Sequence, residues 1–265
     1  MLIKKVADQC LNIVKDTADY IRTSRMKLQE NEINYKNDQS LVTAIDVGAE
    51  ERLVNKLGSL IPHATFLAEE NHNDAAKSDL MWIIDPIDGT TNFVHNFPMY
   101  CISVALWHNG KIILGIIYEI TSNECFWTHS EIGPVYLNNN PIRVSHVKTL
   151  SESVLATGFP PSTFPKMVEY VEHFKTFMTK THGIRRLGSA AMDLAYVACG
   201  RCDGFFEYNL KPWDVAAGAY LVQKSGGMVT DFSGGNNFLH GGEILASNTW
   251  IYKEFIKYFI LKTNE

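Results

Sequence analysis

The run CISVALWHNGKIILGIIYEITSNECFWT, residues 101–128, restricts the possible folds more than any other part of the chain. Three stretches rich in Val, Ile, Phe and Trp, at 101–108, 111–120 and 124–128, are separated only by Asn109-Gly110 and residues 121–123. Two residues cannot carry a crossover, whereas Asn-Gly readily takes the positive backbone angles of a type I′ turn. Neighbouring strands must therefore reverse, and an antiparallel sheet of consecutive hairpins is predicted. Two further strand candidates precede it, ATFLAEE at 64–70 and LMWIID at 80–85.

The segments around this sheet carry the helical period. Ile3, Val6, Ala7, Cys10, Ile13, Val14, Thr17, Ala18 and Ile21 recur at helical spacing and predict a long amphipathic opening helix. Residues 26–40 are polar, break that rhythm and read as a loop. A second helix is expected from near Asp46 to about Leu60, with Pro62 just beyond its end. From about Arg143 strands and helices alternate: SVLAT, a helix at 164–179, GIRRL, a helix at 190–199, GFFEY, a helix at 214–224, GGMVTDF, EILASN and a last helix from Thr249. Such alternation lays helices over a sheet. The expected fold class is α+β, a layered α-β-α-β-α sandwich with an antiparallel N-terminal sheet and a second, mixed sheet. Its halves, 1–142 and 143–265, are expected to form one compact unit.

Composition excludes several classes. The net charge of -5 arises from 24 basic and 29 acidic residues without a long run of either sign, so nucleic acid is an unlikely partner. The first residues, MLIKKVADQCLNIVKDTADYI, lack the apolar centre of a signal peptide, and no stretch reaches the roughly 20 apolar residues that span a bilayer. No membrane association and a cytoplasmic location are the expectations. The five cysteines are odd in number and scattered, unlike a disulfide framework. Cys199-Gly-Arg-Cys202 has the spacing of a redox or zinc half-site but lacks a second half, so packed thiols are the plainer reading.

Chemistry concentrates in WIIDPIDGTTNF, residues 82–93. Asp85 ends an apolar strand and Pro86 stiffens the backbone, so its carboxylate belongs at the sheet rim, with Asp88 one turn further on. Two carboxylates held so close repel unless a cation lies between them, and hard divalent ions suit oxygen ligands. The alternative is a plain strand-to-helix turn in which Asp88 caps the helix and Gly89 relieves strain. That alternative uses neither Asp85 nor Thr90-Thr91. A short helix over TTNFVHN would present the amides of Gly89, Thr90 and Thr91 to an anion. Carboxylates that bind metal beside a phosphate-sized site point to metal-assisted hydrolysis of a phosphate ester by water.

DPIDGTTNF, with AEE upstream and KPWDVAAG downstream, resembles the inositol monophosphatase family of lithium-sensitive, magnesium-dependent phosphatases, in order along essentially the whole chain. The resemblance implies hydrolysis of a phosphate monoester, foremost inositol monophosphate, with two or three Mg2+ ions per subunit and a homodimer. It implies metal binding by Glu69, Asp85, Asp88, Asp214 and the backbone carbonyl of Ile87, most of them in the N-terminal half. Glu69 would also orient the attacking water, and Thr90 with Asp46 would help to deprotonate it. Gly89, Thr90, Gly188, Ser189, Ala190 and Glu207 would meet the substrate, and Lys36 would close over the phosphate. Sibling branches act on NADP, fructose 1,6-bisphosphate or other polyol and nucleotide phosphates, and some bacterial relatives are linked to the RNA-synthesis machinery. A regulatory binding protein is therefore the alternative from another class. Several of these residues also have structural readings: Asp46 and Asp214 as helix caps, Ser189 as a cap, and Glu69 and Glu207 as solvated acids at strand ends.

Overall fold

The structure, a computed structural model, describes residues 3–27, 33–35, 41–72, 78–159 and 165–260. The chain opens with helix α1 (Ile3–Arg25), then strands β1 (Ile33–Tyr35) and β2 (Leu41–Thr43), which pair antiparallel, and helix α2 (Ala44–Leu60). β1 falls inside the polar stretch read as loop. Lys36, expected over the phosphate, lies outside the described residues.

Next come β3 (Thr65–Ala68), β4 (Leu80–Asp88), the short helix α3 (Thr90–His95), β5 (Cys101–His108), β6 (Lys111–Glu119), β7 (Glu124–His129), β8 (Val135–Leu137) and β9 (Asn140–Ile142). Strands β3 to β9 lie in one sheet in chain order. Asn109 and Gly110 take φ of 48° and 83°, the positive pair a type I′ turn demands. The sheet is antiparallel from β4 onward. β3 runs parallel to β4, because the connection between them is long enough to return the chain to the same end.

The second half contributes β10 (Val154–Thr157), α4 (Met167–Lys180), β11 (Gly183–Arg185), α5 (Ala190–Ala198), β12 (Gly204–Tyr208), α6 (Pro212–Lys224), β13 (Met228–Thr230), β14 (Glu243–Ser247) and α7 (Tyr252–Ile260). Its sheet has the order β11-β10-β12-β14-β13 and is mixed, with β10 parallel to both neighbours and β14 antiparallel to both of its own.

Strand alternation builds the layers. Trp82 and Ile84 on β4 face α1 and α2, packing with Val14, Ala18 and Leu53. Met81 and Ile83 point the other way and meet Leu194 of α5 and Val222 of α6. Those two helices lie between the sheets, and beyond the second sheet an aromatic core joins Phe206 to Phe177 of α4 and Phe255 and Phe259 of α7. The α-β-α-β-α sandwich is thus present. The strand that carries the site is thus pressed by α2 on one face and α6 on the other. Among the described residues no helix is long and apolar enough to cross a membrane. The cysteines are free, and Cys202 is buried while Cys199 is half-buried.

Phe177 is fully buried, its ring centroid 5.0 Å from Phe255 and 5.1 Å from Phe206. Phe177→Ala is expected to destabilise the fold by about 3–5 kcal/mol in urea unfolding, since the cavity left behind adds to the lost burial.

Candidate active site

The site is built around an irregularity in β4. The strand does not stop at Asp85 but continues through Pro86 and Ile87 to Asp88, with a bulge on the way. Asp85 pairs with Ser103 and Asp88 with Cys101, so three steps on β4 oppose two on β5. In a regular strand, residues three apart face opposite sides of the sheet. The extra residue cancels that alternation and turns both carboxylates toward α5 and α6. Pro86, which has no N–H to donate, is tolerated where the ladder is interrupted.

Each acid is held by donors close at hand, from its own segment for Asp85, Asp214 and Asp46 and from α5 for Asp88. Asp85 Oδ1 accepts the Ile87 N–H at 3.0 Å. Asp88 Oδ2 accepts the Ser189 hydroxyl at 2.7 Å and the Ala191 N–H at 2.6 Å, both from the start of α5. Asp214 Oδ2 accepts the Lys211 N–H at 2.7 Å at the start of α6. Asp46 Oδ2 accepts the backbone N–H of Thr43 at 2.8 Å and its hydroxyl at 2.5 Å in a capping box. α2 and α6 therefore begin two residues earlier than expected, with Asp46 and Asp214 each at the third helical position. Capping leaves Asp46 Oδ1 available, and it accepts the Thr90 hydroxyl at 3.3 Å. Thr90 Oγ also donates to the Ile87 carbonyl at 3.0 Å. Among the described residues no hydrogen bond reaches Asp85 Oδ2, Asp88 Oδ1 or Asp214 Oδ1.

The acids sense one another. Burial, then the charges of Glu69, Asp88, Asp214 and Asp46, hold the Asp85 carboxyl well above the usual range. Burial also raises Asp88, to about 6, against the hydrogen bonds from Ser189 and Ala191. Asp214 is raised well above its ordinary value by burial and then by Asp88 and Glu69. Burial raises Asp46, with a smaller push from Glu69. Concentrated, poorly solvated negative charge with oxygens turned inward suits a hard divalent cation, so the donor set fits magnesium. The acids do not form a finished cage: among the described residues, no three His, Cys, Asp or Glu side chains stand in metal-holding geometry. Their mutual repulsion opposes closer approach without a counter-ion.

Beside the acids lies a cavity of about 150 Å3 whose lining includes Asp88, Gly188, Ser189, Ala190, Glu207 and Asp214. Six of the residues singled out in the sequence thus share one wall. Gly89, with φ of 95°, starts α3 nearby, where an added Cβ would come within 3.1 Å of the Gly188 carbonyl. Ser189 combines its two readings, since it caps α5 through the Met192 N–H at 3.2 Å and also donates to Asp88. Burial, then Asp88, pushes Glu207 up to about 8.

The sequence reasoning missed four contributors. Glu50 is fully buried on α2 and accepts the N–H groups of Glu70, Asn71 and His72 at 2.7, 2.8 and 3.2 Å, together with His72 Nδ1 at 2.8 Å. It fixes the turn that follows Glu69. Arg186 is exposed at the cavity, its guanidinium 5.5 Å from the Phe159 ring, and it counters the charge of Asp88 and Glu207. Asp193, on the first turn of α5, lines the same cavity. Gly158 admits Glu207, because a Cβ there would overlap the carboxylate. Only Glu50 left a trace in the sequence, as an acid in an otherwise apolar helical stripe.

Known proteins share this fold. The profile described as "Inositol monophosphatase family" matches residues 3–260. A putative Nus factor SuhB of Neisseria meningitidis serogroup B is 43% identical over 218 residues, covering 82% of this chain and 83% of that protein. The crystal structure of the extragenic suppressor protein suhB from Bartonella henselae superposes with a TM-score of 0.90 at 35% identity, covering 98% of both chains. The inositol monophosphatase from Anabaena (Nostoc) sp. PCC 7120 superposes with a TM-score of 0.85 at 32% identity, covering 98% of this chain and 97% of that one. The Neisseria name overturns one expectation. Nus factors are linked to the RNA-synthesis machinery, so the absence of a basic strip does not make nucleic acid an unlikely partner.

Glu50→Ala strands three amides beneath α2 and is expected to cost about 1–3 kcal/mol in thermal or urea unfolding, whereas Glu51→Ala on the exposed face stays within about 0.5 kcal/mol. A second expectation concerns pH. Asp88 and Glu207 retain protons in the fold at pH values where the unfolded chain would have released them. The metal-free fold therefore gains stability as pH falls from about 8 toward 5, and melting curves across that window should show the rise.

Proposed function

The chain belongs to the inositol monophosphatase family, and from that premise we propose that it hydrolyses the phosphate monoester of a polyol, foremost inositol monophosphate, with magnesium. The observation that carries this reading is the set of acids on β4, α2, α6 and the turn after β3, which share one rim and raise one another's proton affinity. Such charge is costly where the same positions could hold neutral side chains. It has a clear use as an oxygen cage.

Asp85, Asp88, Asp214, Glu69 and the Ile87 carbonyl would hold the ions. When bound, magnesium supplies positive charge to the ester oxygens and makes a water more acidic. The chain's own groups do the rest. Thr90 Oγ donates toward Asp46 Oδ1, so it can accept a proton from the attacking water as its own passes to the Asp46 carboxylate, while its alternative bond to the Ile87 carbonyl holds the side chain in place. Asp46 is held by Thr43 and cannot swing away. The Gly89–Thr91 amides face the phosphate, and Glu207 accepts hydroxyls of the alcohol, which leaves after protonation by water. Phosphate esters react slowly in water, so positioning and charge neutralisation must supply most of the rate.

A second reading is favoured by the relative's name: the chain serves as a Nus-type factor that binds components of the RNA-synthesis machinery. The two readings are compatible.

The test is phosphate release from inositol 1-phosphate, fructose 1,6-bisphosphate and NADP at fixed magnesium. Inositol 1-phosphate is expected to be the best of the three, lithium to inhibit, and chelation to abolish turnover. Asp85→Asn is expected to lower kcat by ~100-fold or more while remaining folded, since it removes a buried charge that burial disfavours. Full turnover with chelator or in that variant contradicts the metal mechanism. Stable binding to purified RNA polymerase and Nus proteins, with no turnover of any ester, selects the second reading.

A further inference from the structure

Asp193 lies on α5, four residues after the Ser189 cap, and its side chain lines the cavity that also contains Glu207. It is 1% exposed, and Oδ1 is sealed from solvent without a hydrogen-bond partner. A buried carboxyl with no partner is unfavourable unless something else satisfies it. Burial, followed by the charges of Glu207 and Asp88, holds it well above the usual carboxylate range, which disfavours its charged form. A purely structural role, an acid in the first turn of a helix, explains neither its inward position nor its unpaired oxygen.

The cavity also limits what can enter. Among the described residues none that lines it is aromatic, so they offer a planar base no ring to stack on. Its walls are acids, small residues and Leu210, with the Arg186 guanidinium among them. Hydroxyl groups, which both donate and accept, are the natural match for two facing carboxyls.

We propose that Asp193 is a specificity-determining residue for the alcohol half of the ester, its carboxyl hydrogen-bonding one ring hydroxyl of a polyol while Glu207 takes a neighbouring one. This rests on the phosphatase reading above and deepens it. Selection then depends on the leaving alcohol, because a site built to pair with hydroxyls rejects an alcohol that lacks them.

The experiment compares wild type, Asp193→Leu and Asp193→Asn in the full chain with magnesium, following phosphate release from inositol 1-phosphate and from 4-nitrophenyl phosphate. Asp193→Leu is expected to lower the ratio of kcat/KM for the inositol ester over the arene ester by ~10-fold, mainly through KM. Asp193→Asn, which keeps a donor and an acceptor in the same shape, is expected to restore the ratio to within about threefold of wild type. Thermal melting reports folding, and Asp193→Ala serves the same comparison where leucine is not accommodated. An unchanged ratio in the folded apolar variants, or an asparagine variant as impaired as they are, overturns the inference alone. No release from either ester by wild type overturns the phosphatase reading and this inference with it.

Discussion

Crowded like charge is the constraint on which the rest of the structure depends. Asp46, Glu69, Asp85, Asp88 and Asp214 come from four separate segments, and burial removes the water that would otherwise screen them. Such a group survives in a fold only where fixed dipoles face it. Three helices begin there: α2 and α6 carry Asp46 and Asp214 in their first turns, and α5 directs the Ala191 N–H at Asp88. The positive ends of helix dipoles offset part of the repulsion, and a bound cation would offset more.

Each layer contributes to that arrangement. β4 is buried along nearly its whole length, gripped by Trp82 and Ile84 on one side and by Met81 and Ile83 on the other, so its C-terminal end has little freedom. α5 and α6 lie between the sheets and reach the rim from the second half of the chain. The cavity that would receive the alcohol is consequently walled by both halves, with Asp88 from one and Glu207 from the other.

Much of the fold was legible because period and punctuation agree. Asn109-Gly110 dictated a reversal, and the helical stripe from Ile3 to Ile21 dictated α1. Helix starts were misjudged by two residues at Asp46 and Asp214, since an acid that accepts the N–H of the cap residue sits inside the helix and a conspicuous charge is easily mistaken for its edge. The acids themselves were legible through a resemblance that carries order and spacing. Asp193 and Arg186 were not, and Glu50 showed only as an acid in an apolar stripe, because their importance comes from what the fold brings opposite them: a cavity, a pair of carboxylates and three amides. Partners were the least legible. Net charge registers a polyelectrolyte partner, and recognition by protein contact leaves no such mark.

The bulge in β4 gives the spacing of Asp85 and Asp88 an arithmetic of its own. Side-chain direction along a strand is a matter of odd and even, and the insertion converts an odd separation into an even one. Loss of a single residue from Pro86-Ile87 would heal the ladder and leave the acids two apart, still on one side of the sheet but joined by straight backbone. What the extra residue adds is therefore the bent backbone between them, in which the Ile87 N–H turns back to Asp85 and the Ile87 carbonyl meets the Thr90 hydroxyl.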